Sequence, residues 1–268
     1  MKKLYISADI EGVCGIADWK ETEIGEAQGA YFRSEMTKEV RSACEAACEA
    51  GVEEIFVKDA HGSGRSIDPS ALPENVKIMR SWTRSPYSMM AGIDGSFGGV
   101  IFIGYHSEAG SDGNPLAHTM DSSMIVRIQI NGENASEFML NSYTAASFGV
   151  PALMLSGDGK LCESAARMCP GIGTVAVSEG LGNASISINP ALAQRLIKEE
   201  AAKALRRSPL AAPIVLPPSF DMRIQFRQHY SAYRGSFYPG AERLGPYELR
   251  FASTKWIDAL TFMFFTML

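Results

Sequence analysis

KLYISADIEGVCG, residues 3–15, joins an apolar run of strand character to two carboxylates, Asp9 and Glu11, set two positions apart just before Gly12. On an extended chain alternate side chains share a face, with Cα atoms roughly 6–7 Å apart, so both acids are expected to point into one site. Like charges held that close need a cation. Two later apolar runs end in a similar way: IFVKDAH at residues 55–61 delivers Asp59 and His61, and VIFIGYH at residues 100–106 delivers His106. The C-terminal edge of strands is where ligands bind in open α/β sheets, because strand ends and the loops after them converge there. Three coincident endings carry more weight than any one.

The intervening sequence supports that architecture. Phe32, Met36, Val40, Ala43 and Ala47 form a helical stripe closed by Gly51 as a C′ residue. The continuously apolar run from Val100 suits a strand covered on both faces. Short strands are expected at VEEIFVKDAHG and VKIMRSW, and a short helix at PYSMMAGI. MIVRIQINGENASEFMLNSY reads as a hairpin around Asn131 and Gly132 that leads into a helix. A buried strand follows at 150–156, then helices over GKLCESAARMC and NPALAQRLIKEEAAKALRR, the second with Pro190 near its first position. Strands alternating with helices predict an α/β fold with a mostly parallel central sheet flanked by helices. The proline-rich SPLAAPIVLPPS sets a boundary near residues 208–219. The expected division is a metal-binding catalytic region over 1–207. A smaller α+β region over 208–268, with strands at MRIQF and YELRFA and a final helix, completes the fold or an oligomer interface.

Composition narrows the functional classes. The 268 residues are 46% hydrophobic and 21% charged, which suits a globular protein with a substantial core. A net charge of −5 without a long basic run leaves no electrostatic footprint for nucleic acid. The longest apolar runs, VIFIGY and ALTFMFFTML, fall short of the roughly 18–20 residues that cross a bilayer, so no membrane partner is expected. The N-terminus lacks a secretory apolar stretch, and the five cysteines have no disulfide rhythm, which together point to the cytoplasm. Cys44 and Cys48 have half the spacing of a zinc site but no second pair, and read as small buried helix residues.

Each candidate also has a bland alternative. An isolated Asp9 or Asp59 after a strand is more often a loop or N-cap carboxylate, and a lone His61 more often a hydrogen-bonding loop residue. The joint pattern reverses those odds, since two of only four histidines finish strands beside acids. His118, in PLAHTM, lies one loop beyond His106 and can reach the same edge, whereas His229 has no such partner and reads as structural. A further anionic ligand is expected from Glu137 at the start of the helix after the hairpin, where a first-turn carboxylate also suits the helix dipole. Asp158 follows a strand too and reads equally well as an N-cap. A mixed carboxylate and imidazole set suits Zn²⁺, with Mn²⁺ or Co²⁺ as alternatives, and this many ligands suits two ions bridged by one carboxylate. Neither a nucleophile elbow, a P-loop nor an H-E-x-x-H motif is present.

ISADIEG, KDAHG, IGYHS, AHTM and NASEFMLNSY together resemble the M55 family of metallopeptidases, the D-aminopeptidases. The likeness runs in order and spacing from residue 3 to about 207, with a looser resemblance in the tail and a departure at Cys14, where serine is common. It implies a binuclear zinc aminopeptidase, two ions per chain, that releases N-terminal residues, D-configured in the best-known members, from short peptides. The same resemblance implies Asp9 as the carboxylate shared by both ions, and Glu11, His61, His106 and Glu137 as the other ligands. It also implies His118 as the catalytic histidine serving a metal-bound hydroxide, and a homo-oligomeric ring, commonly a decamer. Two other classes compete: a binuclear phosphoesterase, for which Arg65, Arg80 and Arg84 are the available cations, and a non-catalytic, metal-stabilised peptide-binding protein.

Overall fold

A computed structural model describes residues 1–207 and 210–268. The boundary expected near 208–219 begins at two positions, 208 and 209, that lie outside the described residues. Seven strands form the main sheet: β1 (Lys3–Ala8), β2 (Glu54–Asp59), β3 (Val76–Met79), β4 (Val100–Tyr105), β7 (Ala152–Asp158), β8 (Gly173–Leu181) and β9 (Ala184–Ser187). Their order is β3-β2-β1-β4-β7-β8-β9, parallel throughout except for the β8/β9 hairpin at one edge. The chain first builds outward from β1 through β2 and β3, then crosses back to β4 and builds the other way. The β1/β4 boundary is therefore the topological switch point, where adjacent connections diverge and leave a crevice beyond the strand ends.

Alternation along the strands divides the core. Leu4 and Ile6 of β1, with Ile101 and Ile103 of β4, pack on one face against helices α1 (Ala27–Glu49) and α4 (Pro190–Arg206). Tyr5, Val100, Phe102 and Leu155 face the other side, towards Phe138 and Ala145 of α2 (Glu137–Ser147) and Leu161 and Ala165 of α3 (Gly159–Met168). The predicted stripe of α1 is what it buries: Met36, Val40, Ala43 and Ala47 are inaccessible to solvent. Gly51 ends that helix at φ +75°, with its N–H donating to Cys48 O and that of Val52 to Ala47 O, each at 3.0 Å. These bonds make a Schellman motif, and the left-handed φ is why glycine stands there.

A second, antiparallel sheet has the order β11-β12-β10-β5-β6. Its strands β5 (Ile125–Ile130) and β6 (Glu133–Asn134) precede α2, whereas β10 (Phe220–Phe226), β11 (Glu242–Arg243) and β12 (Glu248–Ser253) come from the tail. The tail thus extends a sheet begun by the predicted hairpin, whose turn has Asn131 at φ +53° and Gly132 at φ +90°. Helices α5 (His229–Gly235) and α6 (Trp256–Thr266) cover it, and Leu140 of α2 shares the resulting core with Met222, Ile224, Leu249 and Phe262. The expected helix at PYSMMAGI is only a 3-10 turn, Ser88–Met90. The β8/β9 hairpin and α5 lie beyond the elements that periodicity marked.

Beneath the first turn, Glu39 of α1 is 1% exposed and accepts a hydrogen bond from Cys14 N–H at 3.0 Å. Burial, opposed by that bond and aided by the charge of Glu35, pushes its carboxyl up to about 8. A raised acid binds more protons folded than unfolded, so stability is fullest below the unfolded value near 4.5 and is lost as pH rises towards about 8. Glu39→Gln is expected to flatten that decline, raising the melting temperature at pH ~8.5 by roughly 5 °C relative to wild type while changing it little at pH ~5; parallel thermal scans check this.

Candidate metal centre and substrate cleft

Asp9 and Glu11 come to lie close together by a different route from strand alternation. β1 ends at Ala8, and the two acids sit on the turn that follows it, closed by Val13 N–H to Ile10 O at 3.0 Å. The turn presses onto β4: Asp9 N–H donates to Ile103 O and Gly12 N–H to Gly104 O, both at 2.8 Å. A Cβ at residue 12 would stand 1.8 Å from Tyr105 O, and one at 104 would stand 2.3 Å from Asp9 O. Only glycine permits that approach, which is the physical meaning of the Gly after the two acids.

Around this turn the structure gathers all six predicted site residues in two groups, Asp9, Glu11 and His61, and His106, His118 and Glu137. Within each group the donor atoms lie within 4.8 Å of one another. Asp9 joins the groups, since its Oδ1 faces His61 Nδ1 at 3.4 Å while its Oδ2 faces His106 Nε2 at 3.5 Å. Glu11 Oε2 lies 3.1 Å from His61 Nδ1. Glu137, the first residue of α2, accepts from Met120 N–H at 2.7 Å through Oε1 and presents Oε2 3.7 Å from His106 Nε2. That last distance is too long for a hydrogen bond. His106 Nε2 is buried and has no hydrogen-bond partner among the described residues. Its Nδ1–H donates to Ser107 O at 2.9 Å, which leaves Nε2 directed between two carboxylates. An orphaned imidazole nitrogen amid carboxylate oxygens, the three acids and His106 almost wholly buried, fits a divalent transition metal such as zinc.

The electrostatics follow from crowding. Burial and the charge of Glu11 push Asp9 well up, whereas Glu11 is held well below its ordinary range because His61, His118 and His106 outweigh its burial. His106, despite burial, is raised to about 10, chiefly by Glu137. His118 moves the other way: burial and the neighbouring His106 charge lower it. Its ring stacks on His106 with centroids 4.3 Å apart and planes inclined by 8°, and Trp19 meets it in an edge-to-face arrangement with centroids 5.1 Å apart.

Several supporting residues had no motif to announce them. Asn114 spans the site, donating from Nδ2 to Glu11 O at 3.0 Å and accepting from Leu116 N–H at 2.8 Å, while Leu116 O accepts from His118 Nδ1–H at 2.9 Å. Asp158 does cap α3, through Leu161 N–H at 3.0 Å, and it also accepts from Ser107 N–H at 2.6 Å, steadying the turn that carries His106. Asp59 belongs to neither group. Its Oδ2 accepts from Ile67 N–H at 2.8 Å and so shapes the loop after His61, the bland role a strand-end Asp can take. His229 is exposed at the start of α5, and all five cysteines are free thiols.

The acids border a cavity of about 570 Å³ walled by Trp19, Trp82, Met89, Met120 and Phe264, a size and lining that suit a small organic ligand. Of the three arginines considered for phosphate, Arg84 alone lines it. An open cleft over buried acids and imidazoles at the switch point of a parallel sheet is the arrangement of a metal-dependent hydrolase. The model of the D-aminopeptidase family, peptidase M55, matches residues 1–265, and the chain belongs to this family. The likeness therefore continues through the tail. The D-aminopeptidase of Bacillus subtilis (strain 168) is 29% identical over 262 residues, covering 96% of this chain and 93% of the relative. A solved structure described as the Zn-dependent D-aminopeptidase DppA from Bacillus subtilis, a self-compartmentalizing protease, superposes with a TM-score of 0.92. It is 28% identical and covers 99% of this chain and 96% of its own. The chain is thus a metal-dependent peptide hydrolase with an α/β fold.

Since backbone atoms cannot yield to a Cβ 1.8 Å away, Gly12→Ala is expected to displace the turn that carries Asp9 and Glu11. Purified variant should hold less zinc than wild type by elemental analysis and melt at a lower temperature.

Proposed function

We propose that this protein is a binuclear zinc aminopeptidase, removing N-terminal residues from short peptides, with D-configured residues as in the names of its relatives. One ion would be held by Asp9, Glu11 and His61 and the other by Asp9, His106 and Glu137. The observation that carries this reading is that the two oxygens of Asp9 face different imidazoles, as a bridging carboxylate requires. Asp9 and Glu11 are both buried and repel when ionised, so paired cations would convert a liability into attraction. Bound there, zinc supplies a polarising Lewis acid and lowers the pKa of its water to about 7.

His118 is read as the proton carrier and not as a ligand. Imidazole lone pairs lie in the ring plane, and two planes stacked at 4.3 Å and inclined by only 8° do not converge on one ion held by His106. With Nδ1–H held by Leu116 O, the tautomer leaves Nε2 free. Burial keeps the ring neutral at pH 7, so it can accept a proton during attack on the scissile carbonyl and return it to the departing amine. Trp19 packs on the ring edge-on and limits its rotation.

The assembly is read as a homo-oligomer, and specifically a decameric ring. Its support is the self-compartmentalizing relative and an exposed apolar set, Tyr230, Tyr233, Phe237, Phe265 and Leu268, on and near α5 and α6. Free thiols, with no helix among the described residues long and apolar enough to cross a membrane, support a cytoplasmic location.

His118→Ala is expected to retain both zinc ions while losing roughly 10²–10⁴-fold in kcat on a D-alanyl dipeptide, and wild-type turnover would remove it from the chemistry. For Asp9→Asn the expectation is loss of both ions; two zinc per chain by elemental analysis would refute bridging.

A further inference from the structure

The segment from Ser81 to Ser88 is unusually restrained for a loop at the mouth of a cleft. Three of its residues other than glycine hold left-handed backbone, Ser81 at φ +66°, Arg84 at +59° and Ser88 at +43°. Non-glycine residues persist there only where the surroundings impose the conformation. Here the imposing contacts are visible. Ser81 N–H donates to Gly64 O and Trp82 Nε1–H to Gly62 O, each at 2.7 Å. Lys58, wholly buried, donates to Ser81 O at 3.0 Å and to Asp59 O, and its Nζ sits 4.1 Å from the centre of the Trp82 ring. A buried ammonium directed at two carbonyls and an indole face fixes backbone, and the backbone it fixes is the rim next to His61.

That rim presents Trp82, Arg84, Ser85 and Ser88 to the cavity. Among the described residues Arg84 is the only lysine or arginine lining it, and its guanidinium has no ion pair there, while the other charged groups outside the donor cluster are the acids Glu23 and Asp121. Asp121 already accepts from Ser123 and Met124. With the donor-cluster acids engaged by the ions they would hold, the remaining charged wall is Glu23, Asp121 and Arg84, so the one fixed cation there for the free carboxylate of a small peptide is Arg84, and a guanidinium binds carboxylate in a two-pronged, orientation-setting way. Building on the peptidase reading above, we propose that Arg84 forms a carboxylate subsite that captures the C-terminal carboxylate of a dipeptide, or of a peptide little longer, when its first carbonyl lies at the donor cluster. The site then measures substrate length. A longer chain carries its carboxylate past Arg84, and an amidated one offers no charge.

The test compares alanyl-alanine with alanyl-alaninamide, in matched D and L forms, on the zinc-loaded wild type, Arg84→Gln and Arg84→Lys. For Arg84→Gln the ratio of kcat/KM for acid over amide is expected to fall roughly 10–100-fold, mainly through KM for the acid, with Arg84→Lys restoring part of it. An unchanged ratio overturns the subsite even if both activities drop. Should the wild type hydrolyse neither compound, the peptidase reading fails by itself. Calorimetric binding of the same two ligands then judges Arg84: a preference for the acid that the Gln variant lacks supports the subsite, and equal binding overturns it.

Discussion

The structure turns on the position of one carboxylate. Asp9 stands at the boundary between β1 and β4, with an imidazole opposite each oxygen, and the other two acids of the site lie one on either side of it. Charges this crowded and this buried are costly unless each finds an opposite charge or a lone pair directed at a shared cation. The arrangement persists because three parallel strands deliver it together. β1 pairs with β2 on one side and β4 on the other, and the first turn is sealed onto β4 by backbone bonds that only glycine at 12 and 104 permits.

A second tier of contacts makes those side chains directional. Backbone carbonyls of Ser107 and Leu116 hold the Nδ1–H groups of His106 and His118, so His106 turns Nε2 towards Asp9 and Glu137 and His118 turns Nε2 towards Glu137. Asn114 and Asp158, neither facing the cavity, tie these turns to Glu11 and to α3. The antiparallel sheet contributes as well. β5 and β6 lead into α2, whose first residue is Glu137, and α6 supports that helix from behind, with Trp256 Nε1–H donating to Thr144 Oγ1 at 2.9 Å. Phe264 of α6 reaches the cleft wall. The tail therefore helps to shape the site that the first strands begin.

Much of this was legible in the amino-acid order because the signals are local. A strand-period apolar run followed by an acid or histidine announces itself wherever it occurs, and a stripe of Met36, Val40, Ala43 and Ala47 can only be the buried side of a helix. Less visible were elements whose sequence has weak contrast. The β8/β9 hairpin carries Gly180 and Gly182 within polar alternation, and its edge position asks for little apolar character. Asp59 shows the opposite failure: its strand-end position matched the pattern, yet its carboxylate turns to Ile67 N–H.

By itself the sequence determined the residue types, the periods and the kind of edge on which chemistry would collect, since hydrophobic spacing and side-chain chemistry are properties of short stretches. Tertiary structure alone decided which acids face which imidazoles, that Asp9 and Glu11 meet on a turn and not along a strand, and that Arg84 but not Arg65 or Arg80 lines the cleft. Those outcomes depend on strand order, on backbone approaches of a few ångströms and on stacked ring planes, none of which any single stretch of chain encodes.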